Sequence, residues 1–436
     1  MAGTATLPAR TAVDERARDA VAAAALALLV LASVALATGS GAPHSGLTPS
    51  LHRLPAAMAG PLAHAWVPLG KSQIEWLLLL MSGCYLLLLR LGTRLHPVLV
   101  VSAIVGLHVL FAIAPPLLSK DIFSYLSYAR LGALYHVNPY LHGPGAEPLD
   151  PVYRLVSWRH IPSTYGPLFT LLTYPLAALS PAAALWTLKS ATALAGLGCV
   201  ALTAACARRL GRSPQSAAMW VGLNPVWLAF GLGGGHNDAI MLALAMAGVA
   251  LALSGRGGLG AASIVASAAV KLSSAVALPF LILRERRSRE PVIGALAAMV
   301  AIGAFALAGF GPHALHLFGV LDRQQQFVGT DSLPDQLAIF VKLPGVTPDV
   351  REATRVFQIA VIALLLWRVW RGADWIAGIG WSMLVVVVGS SWLLGWYTLW
   401  PLPFAAVSND RRLRFATLSL FLYFVAVRWP VLLAQG

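Results

Sequence analysis

Ten stretches of apolar residues, at 19–38, 73–92, 97–115, 184–207, 215–233, 239–254, 292–310, 353–370, 375–394 and 413–432, restrict this chain's fold more than any other feature. Most approach the roughly 20 residues an α-helix needs to cross a hydrocarbon core about 30 Å thick. Shorter or broken runs lie at 165–182, 258–283 and 398–408. With 58% hydrophobic and only 11% charged residues, a water-soluble fold would leave large apolar areas exposed. The expectation is an all-α polytopic membrane protein of about 11–13 transmembrane helices. The first run ends in Ala35-Leu36-Ala37 but is long for a signal peptide, so it reads as a retained anchor. That leaves 1–18 as a cytoplasmic tail and 19–436 as a single transmembrane domain.

A net charge of +14 in a soluble protein would suggest nucleic acid, but here the basic residues gather in short stretches between apolar runs. That pattern sets membrane orientation and implies no nucleic-acid partner. Arg10, Arg16 and Arg18; Arg90 and Arg94; Arg208, Arg209 and Arg212; Arg256; Arg284, Arg286, Arg287 and Arg289; Arg368 and Arg371; and Arg411, Arg412 and Arg414 are all expected on the cytoplasmic side. The three cysteines, Cys84, Cys199 and Cys206, fall inside apolar runs and read as small hydrophobes, with no disulfide or zinc site implied.

Two segments conflict with this orientation. If 165–182 and 184–207 both crossed, Arg208, Arg209 and Arg212 would emerge outside. The segment 165–182 carries Pro167, Pro175 and Pro181 and is therefore expected to be short or re-entrant. Arg256 and Arg284 flank 258–283, which reads as a helical hairpin with its tip near Lys271. The stretches 39–72, 116–164, 234–238, 311–352 and 395–397 then face outward.

The outward stretches hold the candidate chemistry. Asp121 opens the long loop 116–164, and 121–134 has the spacing of a helix lying along the membrane surface. A purely structural role is available: Ser119 as cap, Asp121 favouring the positive helix end. The segment Gly233-Gly234-Gly235-His236-Asn237-Asp238 allows a tight turn followed by a polar triplet. Asn237 or Asp238 could serve as a helix cap, yet His, Asn and Asp together carry more polarity than a cap requires. Lys271 interrupts an apolar hairpin, either snorkelling or meeting an anion such as a phosphate. Asp322-Arg323-Gln324-Gln325-Gln326 offers donors for hydroxyls or phosphate, although such a run is often simply solvated. Trp158, Phe169, Trp392, Trp396, Tyr397 and Trp400 have the composition of an interfacial aromatic belt, and flat aromatic faces also suit sugar rings.

Taken in order, Asp121-Ile122-Phe123-Ser124-Tyr125, Gly132, Asn138-Pro139-Tyr140, Tyr165-Gly166-Pro167, Gly234-Gly235-His236-Asn237-Asp238, Trp396-Tyr397 and Trp400-Pro401 resemble the actinobacterial polyprenol-phosphate-mannose-dependent α-1,6-mannosyltransferases. These are integral-membrane glycosyltransferases of the GT-C class. The resemblance runs from about 116 to 405 and lies in the ordered combination, since each motif alone is weak. It implies a GT-C-like bundle whose long first external loop bears juxtamembrane helices, with loops 116–164 and 311–352 building the active site. It also implies sugar transfer from a polyprenyl-phosphate donor to a glycan or glycolipid acceptor, at the outer face of the cell membrane, in cell-envelope biosynthesis. By carry-over Asp121 is the catalytic base. Tyr125, Asn138, Tyr140, Tyr165, His236, Asn237, Asp238, Lys271, Arg323, Gln324, Trp396 and Tyr397 are the substrate-binding candidates. Unlike some relatives the chain shows no large soluble domain after the last span, so acceptor recognition is expected to fall to the loops.

Such a transfer needs a base for the acceptor hydroxyl and stabilisation of the departing phosphate. A β-linked donor giving an α-linked product implies a single inverting displacement. No DxD metal motif or nucleotide-sugar fold is visible; no cofactor is expected, and assistance by a divalent metal is left open. A transporter or lipid flippase is the main rival, although the two broken segments do not match each other as inverted repeats would. A non-catalytic lipid-binding subunit is a third reading, which leaves the pairing of Asp121 with Asp238 unexplained. The sequence does not separate mannose from arabinose or glucose.

Overall fold

The structure, a computed structural model, describes residues 9–41, 47, 54–62, 69–329 and 332–428. Residues 1–8 of the N-terminal tail, much of the 39–72 loop and the end of the run 413–432 lie outside the described residues. Every regular element among the described residues is helical. Asp14–Gly39, Lys71–Arg94, Pro181–Arg209, Glu290–Gln324 and Pro348–Trp370 are long and apolar enough to cross a membrane. Shorter apolar helices, among them Pro97–Ile113, Asp238–Ala252 and Trp375–Val388, pack between them. The chain is an all-α polytopic membrane protein.

Several runs are shorter as helices than as apolar stretches, for local reasons. The run 97–115 ends as a helix at Ile113, ahead of Pro115-Pro116. The run 215–233 breaks at Asn224-Pro225, giving Pro214–Gly222 and a π-helical turn, Trp227–Leu232. There Asn224 Oδ1 accepts from the N–H groups of Val226 and Trp227 at 2.9 and 3.0 Å, which satisfies donors freed by the break.

Contacts between distant segments gather the basic clusters at one end. Arg94 pairs with Asp19, and Gln215 Nε2 donates to the carbonyls of Gly92 and Leu95 at 3.0 and 2.9 Å. Arg286 donates to the Trp370 carbonyl at 2.6 Å. The guanidinium of Arg414 lies over the Trp220 ring, 5.9 Å from its centroid.

Both segments read as incomplete crossings are so. Residues 165–182 contain Pro167–Thr173 and a 3-10 stretch, Tyr174–Ala178, too short to span. Gly257–Val270 and Leu278–Arg284 form the hairpin, with Lys271 extended (φ −151°, ψ 119°) at its tip. A Cβ on Gly257 would collide with Glu285, so the two legs meet at their base. The tip therefore points away from the basic end.

One expectation needs correction. The helix Asp121–Ala133 does not lie on a surface: every residue from Ile122 to Ala129 is buried, against the 167–178 segment and Pro181–Arg209. The alternation of aromatic and small residues serves two packed faces, and no wet face is left. Residues 311–352 hold the short helices Gly311–Leu315, His316–Gln324 and Leu333–Phe340 and the first turn of Pro348–Trp370. All three cysteines are free and buried.

Candidate active site

The backbone brings Asp121 in through a fixed approach. Leu117 N donates to the Gly233 carbonyl at 3.0 Å, and Leu118 adopts φ +63°, a left-handed conformation that a leucine holds only under tertiary constraint. Ser119 Oγ then accepts from the Asp121 N–H at 3.1 Å. The side chain of Asp121 retains 16% exposure, at the wall of a cavity of about 710 Å³. Asp121 lies outside the apolar runs, and its carboxyl is pushed up to about 6 by burial, opposed by the Lys271 ammonium and reinforced by Asp238.

Behind Asp121 sits His236. Its Nδ1 is 3.7 Å from Asp121 Oδ2, and its ring stacks on Trp396 with centroids 3.7 Å apart and planes at 23°. The turn that presents it needs Gly235 at φ +66°. Its Gly233 carbonyl accepts from the buried Lys189 ammonium at 2.8 Å as well as from Leu117, so one carbonyl ties the His236 turn to the approach of Asp121. Burial, with Lys271 and Lys189 nearby, holds the imidazole well below its usual range and therefore neutral.

The cap reading of Asn237 or Asp238 does not hold: Asn237, at the cap position of the helix Asp238–Ala252, makes no side-chain cap bond, and Asp238 is already its first residue. The Asp238 carboxylate is fully buried and takes Lys271 Nζ at 2.8 and 2.9 Å and Trp400 Nε1 at 2.6 Å. The same ammonium lies 5.0 Å from the Tyr397 centroid and 5.3 Å from that of Trp400. Lys271 is thus anchored, not snorkelling. The Tyr165-Gly166-Pro167 turn seats the hairpin tip: Gly166 N donates to the Val270 carbonyl at 3.0 Å, and a Cβ on Gly166 would run into the backbone of Ala269. Tyr125 packs edge-on against Tyr165 and Phe169, at 4.6 and 5.0 Å, an arrangement worth about 0.5–1.5 kcal/mol per pair beyond burial.

Of the residues singled out in the sequence, Asp121, Tyr165, Lys271, Gln324, Trp396 and Tyr397 line the cavity. Tyr125, His236, Asn237 and Asp238 are buried just behind that wall. The tyrosine hydroxyl of Tyr125 is 3.5 Å from Asn237 Oδ1. Asn138 and Tyr140 lie elsewhere, tying down the loop: Asn138 Nδ2 donates to the Phe310 carbonyl at 2.9 Å and the Tyr140 hydroxyl to that of Tyr165 at 2.7 Å. Arg323 is exposed and does not reach the cavity. The belt reading fails for Trp158, Trp392, Trp396 and Trp400, all of which line the cavity. Sequence reading missed Arg351, Thr354, Arg355 and Gln358, which also line it. Their i, i+3, i+4, i+7 spacing marks one polar face of Pro348–Trp370 and was available as a signal. Among the described lining residues Asp121 is the only acid, against Lys120, Lys271, Arg351 and Arg355.

This geometry coincides with a recognised sequence pattern. The sequence model described as "Alpha-(1->6)-mannopyranosyltransferase, N-terminal domain" matches residues 20–286, and the "MptB C-terminal domain" matches 333–430. The chain is similar to alpha-(1->6)-mannopyranosyltransferase A of Mycobacterium tuberculosis, 31% identical over 423 residues that cover 88% of this chain and 79% of that one. The chain belongs to the alpha-(1->6)-mannopyranosyltransferase family. A protein of Mycolicibacterium smegmatis named a probable alpha-(1->6)-mannopyranosyltransferase is 29% identical over 366 residues, 71% of this chain and 65% of that one. Alpha-(1->6)-mannopyranosyltransferase A of Corynebacterium glutamicum is 32% identical over 181 residues, 39% and 35% respectively. As a member of the alpha-(1->6)-mannopyranosyltransferase family the chain is a glycosyltransferase, and the transporter and lipid-binding-subunit readings give way. The first match contains Asp121, His236, Asp238 and Lys271, and the second contains Arg351, Trp396 and Trp400.

Proposed function

We propose that this protein transfers a mannosyl group from a polyprenyl-phosphate donor to a hydroxyl of a glycan or glycolipid acceptor, at the outer face of the cell membrane. The observation that carries this is a single carboxylate, Asp121, facing a cavity whose other charged residues, among those described, are all cations. An anionic donor suits such a cavity, and the lone acid suits a base. The outward orientation is supported by the basic clusters, which read as cytoplasmic, and by the hairpin whose tip at Lys271 lies at the cavity while its base lies between Arg256 and Arg284.

In the reaction the acceptor oxygen forms a bond to the anomeric carbon while the bond from that carbon to the phosphate oxygen breaks. Asp121 takes the hydroxyl proton, and polyprenyl phosphate leaves with the bonding electron pair. One such displacement inverts the anomeric centre, from a β-linked donor to an α-linked product. A base titrating near 6 is ionised at neutral pH, yet basic enough to accept a proton as the hydroxyl acidifies in the transition state. Lys271, held by Asp238 and two aromatic rings, stands ready for the charge that gathers on the departing phosphate. The anchoring residues act through Lys271 and are not expected to touch the sugar.

The test is a panel of radiolabelled polyprenyl-phosphate sugars offered to the full-length protein in membranes. Transfer from the mannose donor alone, at the α-configured product, is the expected result. Transfer only from a nucleotide sugar, or none from any lipid donor, would overturn the proposal.

A further inference from the structure

A second wall of the cavity is not used by the chemistry above. Trp158 stacks on Phe327 with centroids 5.6 Å apart and planes at 27°, and Trp392 meets both edge-on at 5.5 and 5.2 Å. These rings come from three segments far apart in sequence, and all are partly exposed on the cavity wall. Their backbones are locked together: Ser391 Oγ lies 3.1 Å from the Gln325 carbonyl and 2.9 Å from that of Phe327, donating to both. Arg351 donates to the same Gln325 carbonyl at 2.8 Å. Among the described residues no carboxylate pairs with Arg351, whereas Arg355 is engaged by Glu352 at 3.1 Å and Lys271 by Asp238. The guanidinium of Arg351 therefore keeps donors in a planar fork beside an aromatic surface.

The trio lines the same cavity as Asp121 and Trp396. Trp392 is four residues from Trp396, which stacks on His236 behind Asp121. A ligand with a hydroxyl at Asp121 and further rigid units beyond it would run from Trp396 to Trp392 and on to Arg351. Aromatic faces receive the apolar C–H faces of pyranose rings, and side-chain amides with a planar guanidinium receive vicinal hydroxyls.

We propose that Trp158, Phe327 and Trp392, with Gln325 and Arg351, form an acceptor subsite that binds the sugar units preceding the one being extended, so that the enzyme favours an oligosaccharide over a monosaccharide. This rests on the transfer reaction proposed above.

The test uses α-1,6-linked mannose oligosaccharides of one to four units with the full-length protein in nanodiscs. Binding without donor is followed by tryptophan fluorescence, and transfer by the KM for acceptor and for polyprenyl-phosphate mannose separately. The wild-type KM for acceptor is expected to fall at least tenfold from one unit to three. Trp392→Ala is expected to erase that dependence and weaken oligosaccharide binding at least tenfold, with the donor KM unchanged; Trp392→Phe, which keeps a flat face, recovers most of it. Arg351→Gln is expected to weaken binding about threefold. Length dependence and oligosaccharide binding unchanged in Trp392→Ala would overturn the subsite while leaving the transfer reaction standing. A donor KM raised in place of the acceptor KM would reassign the wall to the lipid carrier and likewise overturn it. Oligosaccharide binding that requires Trp392 in a protein that transfers nothing from the lipid donor would uphold the subsite and sink the reaction.

Discussion

Nδ1 of His236 and Oδ2 of Asp121 lie 3.7 Å apart, with the imidazole clamped against Trp396 and closed off from the cavity. The separation is longer than a hydrogen bond, as is common for catalytic pairs before substrate binds. A neutral imidazole in this place stands beside the carboxylate without neutralising it, and is within reach to hold it once substrate closes the gap. His236→Ala should therefore lower kcat by about 100-fold, the scale of a misplaced reacting group, with a much smaller change in KM. Steady-state kinetics in membranes measure both. A large rise in KM with kcat intact would instead make His236 a sugar-binding group.

The buried carboxyl of Asp121 sets a pH dependence with a definite sign. Ionised Asp121 is the active form, so kcat/KM should fall about tenfold per unit below pH 6 and level off above it. Stability runs the other way. The folded pKa of about 6 exceeds the ordinary value of 3.8, so the native state holds this proton more tightly than the unfolded chain. The contribution of Asp121 to stability is complete below 3.8 and is lost as pH rises to about 6. Asp121→Asn should match or exceed the wild-type melting temperature at pH 7, with the advantage vanishing towards pH 4. Thermal unfolding in detergent at both pH values checks this.

How much of this was legible in the sequence depends on the kind of signal. Prolines at 167, 175 and 181 and the arginines flanking 258–283 were enough to foresee two incomplete crossings, and through them the convergence of Asp121, Asp238 and Lys271. Lys271 was legible because a cation in an apolar hairpin needs a partner, and the partner is Asp238. Trp396 was reached through the resemblance alone, and Trp158 and Trp392 were not told from a lipid-facing belt, since a belt and a cavity wall have the same composition. Arg351 to Gln358 escaped because counting apolar residues along a run averages over the faces of a helix. Asn138 and Tyr140 looked like site residues, yet their roles are set by partners such as Phe310, 172 residues away in the case of Asn138, which no local pattern reveals.

The pairing of Asp238 with Lys271 predicts a non-additive mutant cycle. Asp238→Leu leaves the ammonium without its counter-charge and should cost on the order of 2–4 kcal/mol, at the lower end of the range for buried pairs because Lys271 reaches the cavity. Lys271→Met alone strands the carboxylate and should cost a similar amount. The double variant Asp238→Leu with Lys271→Met should recover part of the loss, since an apolar pair replaces an ionic one, while transfer stays abolished. Additive losses in chemical or thermal unfolding would argue against a coupled pair.

Asp121 as the base is the central claim, and single-turnover transfer by Asp121→Asn tests it most directly. The protein is loaded with radiolabelled polyprenyl-phosphate mannose and mixed with acceptor at pH 7.5, with donor binding measured on the same preparation. The expected result is donor binding within a few-fold of wild type and transfer reduced by at least 1,000-fold, within the range a positioned base contributes, about 10²–10⁴. Transfer within tenfold of wild type, with donor bound, would contradict the account.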